Sequence, residues 1–579
     1  MAEYGAGATS AAAAETATPL GRKKRLEAQF SALKSERSRL DPVYQELGDM
    51  FAPMRVRLNL SDEDKAPIYP KKFIDPVGAV AARTGRAGMM SGMASPSRPW
   101  MKWTAAEAWL NDRSDVSRWC DAVTQVGLGV LGKSNYYRAT ALQMGDSLVF
   151  GTSPVIMKED PRRVIRCFCY PVGRYVLAQD NEYRVCTFMC EFRMTVAAAA
   201  AEFGLESLSI RSQEEFKLGR GDTTKIEVLH AIYKNPRAAR GNPFATSKPW
   251  AECFLERGAE AEGFLRESGY DEFAVMAARW ELVGWDVYGH SPGMLALGEI
   301  KQLQAERKRE INAIDKMTAP ALIGPASLKG KPVSLLPNGL TLDDLASEKR
   351  GLRPIHEVPD YLGDLRELLA DSRRIISRVM YEDLWRKLID DERSQRATAA
   401  EIRALQMEKM GELGPVIENH TEDVFDPGME RLYQIMVRRS LPAWAQGKDG
   451  LLPQPPAILQ GQGLKLEYTS LMSQAQKFIG TAGSRDYAAD VLAVAPVVPA
   501  ILDTVDWDEW SEEMAVARGV SPKIVRSQDD RAALRAQRAQ QQAQQAALEQ
   551  VPAAAKATKD MAGAPMDEDS ALTRLLGTG

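Results

Sequence analysis

Two segments with apolar residues at helical spacing, Pro292–Met317 and Asp360–Tyr381, bracket a stretch in which proline and glycine forbid a long helix. This bracket limits the available folds more than any other feature of the chain. In the first segment Leu297, Ile300, Leu303, Ile311 and Ile314 share a stripe that the charged run ERKRE interrupts. The second carries Leu362, Leu365, Leu368, Leu369, Ile375, Ile376, Val379 and Met380 in the same rhythm. Between them lies TAPALIGPASLKGKPVSLLPNGLTLDDLASEKRGLRPIHEVP. Its prolines lack an amide donor and clash with the preceding turn, and LLPNGLT reads as a turn between short strand-like runs. Two helices therefore lead into and out of a small tip. The charged interruption has two readings: a solvated turn on a lone helix, or a girdle facing a channel or a neighbour when helix pairs from several copies pack together.

Upstream, Leu26, Phe30, Leu33 and Leu40 step by three, four and seven among charges, an amphipathic helix closed by Asp41-Pro42. The Gly-, Ala- and Met-rich run after Lys72 allows close backbone approach in a helix and stops at a Ser/Pro turn. In RRVIRCFCYPVGRYVLAQDNEYRVCTFMCEFRM, β-branched and aromatic residues flank the turn AQDNE, which predicts a β-hairpin. A charged connection, EDLWRKLIDDERSQR, follows Tyr381, and a very long helical pattern begins at Ala397, with bends expected at Gly414-Pro415 and Pro427. The Gln/Ala-rich RAALRAQRAQQQAQQAALEQ has high helix propensity and little to bury, so it needs neighbours. Residues 1–21 and 551–579 have the composition of disordered ends.

A chain of 579 residues exceeds one compact core, and 45% apolar and 26% charged residues are ordinary globular values. The net charge of −4 argues against a broad basic face gripping nucleic acid. Six scattered cysteines make no disulfide framework, and a reducing compartment is expected. The first twenty residues carry Glu3 and Glu15 and lack a leucine-type centre, so no secretory signal is expected. No apolar run reaches the length of a bilayer span. The chain is expected to be soluble and cytoplasmic when made.

The spacing of Gly127, Gly132, Lys133 and Ser134 in GLGVLGKS is that of a phosphate-cradling loop, which requires a buried strand before it and a helix after it. Here Val116, Trp119, Cys120, Val123, Val126, Val130 and Leu131 form one helical series running into and through the glycines. The segment therefore reads as helix. Cys167, Cys169, Cys186 and Cys190 could hold zinc if a hairpin gathered four thiolates, but strand interiors seldom build such sites and buried apolar cysteine is the better reading. His230, His290, His356 and His420 are dispersed, and the acids Asp390 and Asp391 sit in a charged run. No catalytic site, metal or cofactor is expected.

Several segments together resemble the portal, or head-to-tail connecting, proteins of short-tailed bacteriophages. They are RSDVSRWCDAVTQVGLGVLGKSNYYRATALQMGDSLVFGTSPV, with Ser134, Asn135, Tyr136, Tyr137, Asp146, Phe150, Gly151 and Thr152; RATAAEIRALQMEKMGELGPVIENHTEDVFDPGMERLYQIM; LEYTSLMSQAQKF; and DTVDWDEWSEEMAVARGVSPKIVRSQDD. The likeness spans about Arg22 to Gln550 and departs from the family at Gly127, Gly129 and Gly132, where stronger helix formers would be expected. It implies an α+β fold, mainly α: a wing (22–290), stem helices (291–317 and 360–381), a small α/β clip (318–359), a tunnel loop (382–395), a long bent helix returning to the wing (396–504) and a helical crown or barrel (505–550).

The resemblance further implies a ring of about twelve copies at one capsid vertex of the virion, assembled in the host cytoplasm. Its partners would be the terminase large subunit, tail adaptor and tail proteins, major capsid protein and scaffold, and, transiently, double-stranded DNA, with no membrane. In the tunnel loop Arg386, Lys387, Arg393 and Arg396 alternate with Glu382, Asp383, Asp390, Asp391 and Glu392, a pattern for weak, exchanging phosphate contacts. Lys329, Lys331, Asn338, Arg350 and Arg353 would lie on the clip, toward terminase and adaptor. The rival functions are a nucleotide-hydrolysing packaging enzyme using Gly127–Ser134 and another internal structural component of the virion.

Overall fold

Strand β6 (Lys225–Lys234) has apolar residues on both faces, Leu229, Ala231 and Tyr233 on one and Val228 and Ile232 on the other, so it requires cover on both sides. It is the middle of a five-stranded antiparallel sheet, ordered β4-β5-β6-β7-β8, with β4 (Tyr175–Gln179), β5 (Val185–Thr195), β7 (Trp250–Glu256) and β8 (Arg266–Tyr270). Helix α1 (Pro19–Arg37) closes one face by setting Leu26 and Phe30 against Met189, Leu229 and Leu255. A three-stranded sheet, β3-β2-β9, closes the other: β2 (Thr152–Asp160), β3 (Val164–Cys169) and β9 (Val275–Arg279) set Ile156 and Val275 against Leu177, Phe188 and Ile232. Each fully buried side chain of this size contributes about 1.5–3 kcal/mol. The expected hairpin is present as β4 and β5, while the preceding RRVIRCFC run pairs with β2.

The structure, a computed structural model, describes residues 19–58, 74–111, 113–239, 244–259, 263–319, 322–323, 353–354, 362–389, 413–459, 462–469, 482–517 and 531–543. These fall into two compact units, one drawn from 1–103, 121–454 and 466–479, the other from 104–120, 455–465 and 480–579. Besides these sheets the chain forms a short strand, β1 (Met101–Ala105), and the helices α2 (Asp41–Phe51), α3 (Val77–Met93), α4 (Ser114–Lys133) and α5 (Tyr136–Phe150), followed by the short α6 (Val196–Phe203) and α7 (Ile210–Lys217). Among the described residues no helix is long and apolar enough to cross a membrane.

The glycine-rich GLGVLGK lies inside α4, as its periodicity requires, and Ser134 is the first residue beyond it. A Cβ on Gly127 would meet the Trp103 ring at 2.4 Å, so this glycine is a packing residue; Gly129 and Gly132 face open space and nothing nearby explains them. The SNYY motif that follows is a joint. Ser134 Oγ donates to Leu131 O (2.8 Å) and accepts from Tyr136 N (3.0 Å), and the Asn135 amide exchanges two bonds with the Cys167 backbone (2.7 and 2.8 Å). Tyr136 then stacks on the fully buried Trp100, which also packs against Phe425 and Tyr468.

Of the two expected bends, only the one at Pro427 coincides with an interruption among the described residues; Gly414-Pro415 lie within helix. Residues 413–420 are helical, Thr421–Phe425 form a π turn, and α11 (Asp426–Trp444) resumes with Pro427 in its first turn. Proline at 427 cannot donate to the carbonyl of Asp423, and the wider π turn absorbs that loss. Arg279 of β9 clamps it, donating from Nε and Nη2 to the two oxygens of Asp423 (2.8 and 2.7 Å).

In the second unit, α12 (Ala482–Val494) and α13 (Trp507–Ala517) are joined by Trp510 Nε1 donating to Ser484 O (3.4 Å). The Gln/Ala run is helical over 531–543, largely exposed, and tied to α13 by Arg531 and by Arg535, which donates to both oxygens of Asp508 (2.6 and 2.7 Å).

Candidate functional site

The bracketing helices are α8 (Pro292–Thr318) and α9 (Leu362–Val379), and α8 is fastened to the rest of the chain at its start. Ser291 caps it, accepting from Met294 N (3.0 Å) and donating to Val149 O (2.7 Å). Gly293 is required there, because a Cβ would sit 2.5 Å from the same carbonyl. The helices run antiparallel: Glu306 faces Ser372, and Glu310 faces Arg366.

The inward stripe of α8 changes chemistry along its length. Ala296, Ile300 and Leu303 are buried, and then Gln304, Glu306 and Glu310 take the inward positions. The sequence stripe assigned Ile311 to that face, yet Ile311 is 37% exposed. Within ERKRE, then, the two glutamates point inward while Lys308 and Arg309 face solvent, a division that neither reading of the run contains. Buried polar groups demand partners, and each has one. Gln304 Oε1 accepts from Ile74 N (2.7 Å) and Asp75 N (2.9 Å), and its amide donates to Asp75 O (2.9 Å). Glu306 accepts from Gln302 Nε2 (2.8 Å) and Ser372 Oγ (3.5 Å). Glu310 pairs with Arg307 and, at 3.7 Å, with Arg366.

Leu369, Ser372 and Ile376 of α9 are buried, as is Met380 just beyond it, and Arg373 donates from Nη2 and Nε to Asp75 Oδ2 (2.7 and 3.0 Å). Tyr381, at φ 55°, breaks the helix, and α10 (Glu382–Ile389) starts at once. Here the structure corrects the sequence reading: 382–389 is helix, where a tunnel loop over 382–395 was expected. Two acids in the first turn favour the helix dipole, Leu384 is buried, and Arg386 donates to Glu382 Oε1 one turn back (2.6 Å). Glu382 also accepts from Ser377 Oγ (2.6 Å). Asp75, Val80, Arg373, Glu382 and Arg386 surround an open cleft of about 320 Å³.

Of the anticipated DNA-facing residues, Arg386 is exposed on α10 and Lys387 belongs to the same helix, while Arg393 and Arg396 lie outside the described residues. Of the tip residues, Arg353 forms a two-residue strand, β11 (Arg353–Pro354), paired with β10 (Leu322–Ile323); Lys329, Lys331, Asn338 and Arg350 lie outside the described residues. The sequence reading missed Asp75, which precedes α3 and gave no signal, and Gln304, Arg373 and Ser377, polar residues within helical patterns. The anticipated thiols fall in two sheets, Cys167 and Cys169 on β3, Cys186 and Cys190 on β5, and burial pushes Cys167, Cys169 and Cys190 up to about 12. Among the described residues no three His, Cys, Asp or Glu side chains are placed to hold a metal ion. What the helix pair presents is a set of paired, partly exposed cations over buried acids, an arrangement suited to brief ionic contacts.

Residues 23–525 match the family described as bacteriophage head to tail connecting protein. The chain is 34% identical to the portal protein of Salmonella phage epsilon15 over 554 residues, covering 96% of this chain and 98% of that one. It is 35% identical to a probable portal protein of Bordetella phage BPP-1 over 530 residues, covering 91% and 93%. A solved structure of the neck of an empty gene transfer agent particle aligns over 64% of this chain and 85% of its own, at 12% identity and a TM-score of 0.28, too low to bear on the fold.

Proposed function

The chain belongs to the family of bacteriophage head-to-tail connecting proteins, and on that premise we propose that its copies close into a ring of about twelve around a DNA channel. Its role is that of a phage portal, a structural connector at the portal vertex of the virion and not an enzyme. Helices α8 and α9 serve as the stem, the 318–359 tip as the clip and the sheets as the wing. The 505–550 segment serves as the crown or barrel. Assembly takes place in the host cytoplasm on capsid protein and scaffold.

The observation that carries the ring is the outer surface of the helix pair. On α9, Leu368 and Ile375 are seven residues apart on one face and are 46% and 47% exposed, a patch that one copy leaves uncovered and a neighbouring copy would bury. The channel side follows from charge. Duplex DNA slides past cations that are already paired, because each phosphate contact competes with an internal carboxylate and exchanges quickly. Arg386 over Glu382 is such a pair, and Lys387, Arg393 and Arg396 extend the series. At the clip, Lys329, Lys331, Asn338, Arg350 and Arg353 dock the terminase large subunit during packaging and the tail adaptor afterwards.

Negative-stain images and sedimentation of the purified chain test this reading: annuli with a central hole are expected, and a monomer persisting at every concentration overturns it. Particles carrying Arg386→Ala with Lys387→Ala should package, retain or eject DNA abnormally; unchanged behaviour in all three would remove the channel assignment.

A further inference from the structure

The hairpin joining β2 to β3 ends in Asp160-Pro161-Arg162-Arg163-Val164, far in sequence from the channel candidates. Both carboxylates at its tip are already engaged. Asp160 Oδ1 accepts from Arg162 N (2.7 Å) and Arg163 N (3.0 Å), and Glu159 accepts from Arg438 Nη2 (2.8 Å). Arg439 donates to the Asp160 carbonyl, fastening the tip to α11. Val164, a β-branched residue, is held at φ 71°, a costly conformation that keeps the turn in one shape.

Three cations remain. Arg162, Arg163 and Arg166 are exposed, and among the described residues no carboxylate forms an ion pair with any of them. Arg166 sits directly across the ladder from Lys158, a like-charge pairing that weakens a hairpin. Lys158 is neutralised by Glu252 (2.7 Å), whereas Arg166 lies over the half-exposed Phe168 ring, 5.7 Å away. The backbone amides of Arg163 and Arg162 lower the pKa of the Asp160 carboxyl, and the charges of Arg166 and Arg163 reach it without an ion pair and add to that lowering. In a chain with net charge −4, a rigid tip that keeps three arginines unpaired is selectively basic.

We infer that the β2–β3 tip is a second polyanion contact, a docking point for the phosphate backbone of duplex DNA outside the channel. The inference rests on the reading that this protein works beside packed DNA. Guanidinium forks grip phosphate oxygens in pairs, Phe168 supplies an apolar neighbour for sugar or base, and contact with the backbone requires no sequence.

The test is fluorescence anisotropy of a labelled duplex of about 30 base pairs with the purified full-length chain across a salt series. The triple variant Arg162→Ser, Arg163→Ser, Arg166→Ser should lose about tenfold or more in affinity and lower the salt slope by about two to three, near 0.9 for each phosphate contact removed. The triple lysine variant should keep most of the slope, and thermal melting should show all three proteins equally folded. Arg386→Ala with Lys387→Ala should leave the tip-dependent part of the slope in place. Wild-type binding by the triple serine variant overturns the inference. So does tip-dependent binding of polyglutamate with none of the duplex, which would assign the tip to an acidic protein segment. Images of the same preparation keep the ring question separate: tip-dependent DNA binding by a chain that forms no ring leaves this inference standing and removes only the ring.

Discussion

The two-sheet core and the α8–α9 helix pair solve the same problem in opposite ways. The sheets bury apolar residues on every face and meet their polar needs within one copy. His230, for instance, is enclosed against Phe254 and bonded to Glu252 (2.9 Å). The helix pair buries Gln304, Glu306 and Glu310 and leaves Leu368 and Ile375 half exposed. The contrast teaches that the first region is complete as a single copy, whereas the second has the surface of an element awaiting neighbours.

Substitutions can break that contrast. Phe188→Ala, in the sheet core, should cost about 3–5 kcal/mol and be visible in denaturant unfolding of any assembly state. A loss near zero would mean that the sheets too depend on neighbours.

Acid comes next. His420 is buried, its Nδ1–H donating to Val416 O (2.9 Å) and its Nε2 facing Ser147 Oγ (3.2 Å); burial lowers its pKa from 6.5 to about 4. The unfolded chain takes up this proton at a higher pH than the folded chain does. The stabilisation is therefore complete above about pH 6.5 and declines as pH falls toward 4, by about 3 kcal/mol. His230 moves the same way, also to about 4, with burial as the main cause. Unfolding measured against pH should steepen over this window, and His420→Gln should flatten part of it.

In the helix pair, Arg373→Ala strands the buried Asp75 carboxylate, yet Arg373 is itself 41% exposed. The loss should be about 1–2 kcal/mol by thermal melting, screened by water at that face. The smallest effect on the isolated chain should come from Leu368→Ser with Ile375→Ser, within about 0.5 kcal/mol. The same double change should sharply lower the fraction of rings in sedimentation, and an unchanged ring fraction would show that this face is not the subunit contact.

Much of this architecture was legible in the residues. Periodicity placed helices at 292–317 and 360–381, observed at 292–318 and 362–379, and took Gly127–Ser134 out of nucleotide chemistry, while β-branched and aromatic runs around a turn located the β4–β5 hairpin. The candidate site was less legible. A charged run such as EDLWRKLI reads as a connection because eight residues are too short to show a helical period, and packing of Leu384 and the bond from Arg386 to Glu382 favour helix there. The inward turn of Glu306 and Glu310 was equally hidden, since a glutamate enters a core only where a particular serine or arginine waits across the interface.

Local rules, the spacing of apolar side chains and the geometry of proline and glycine, were sufficient to set the long helices and the hairpin turn, because they act between residues a few positions apart. Which charges are buried, paired or left free depended on contacts between distant segments, such as Asp75 with Arg373 and Asp423 with Arg279. Those energies arise only when folding removes both partners from water, so the tertiary structure alone decided them.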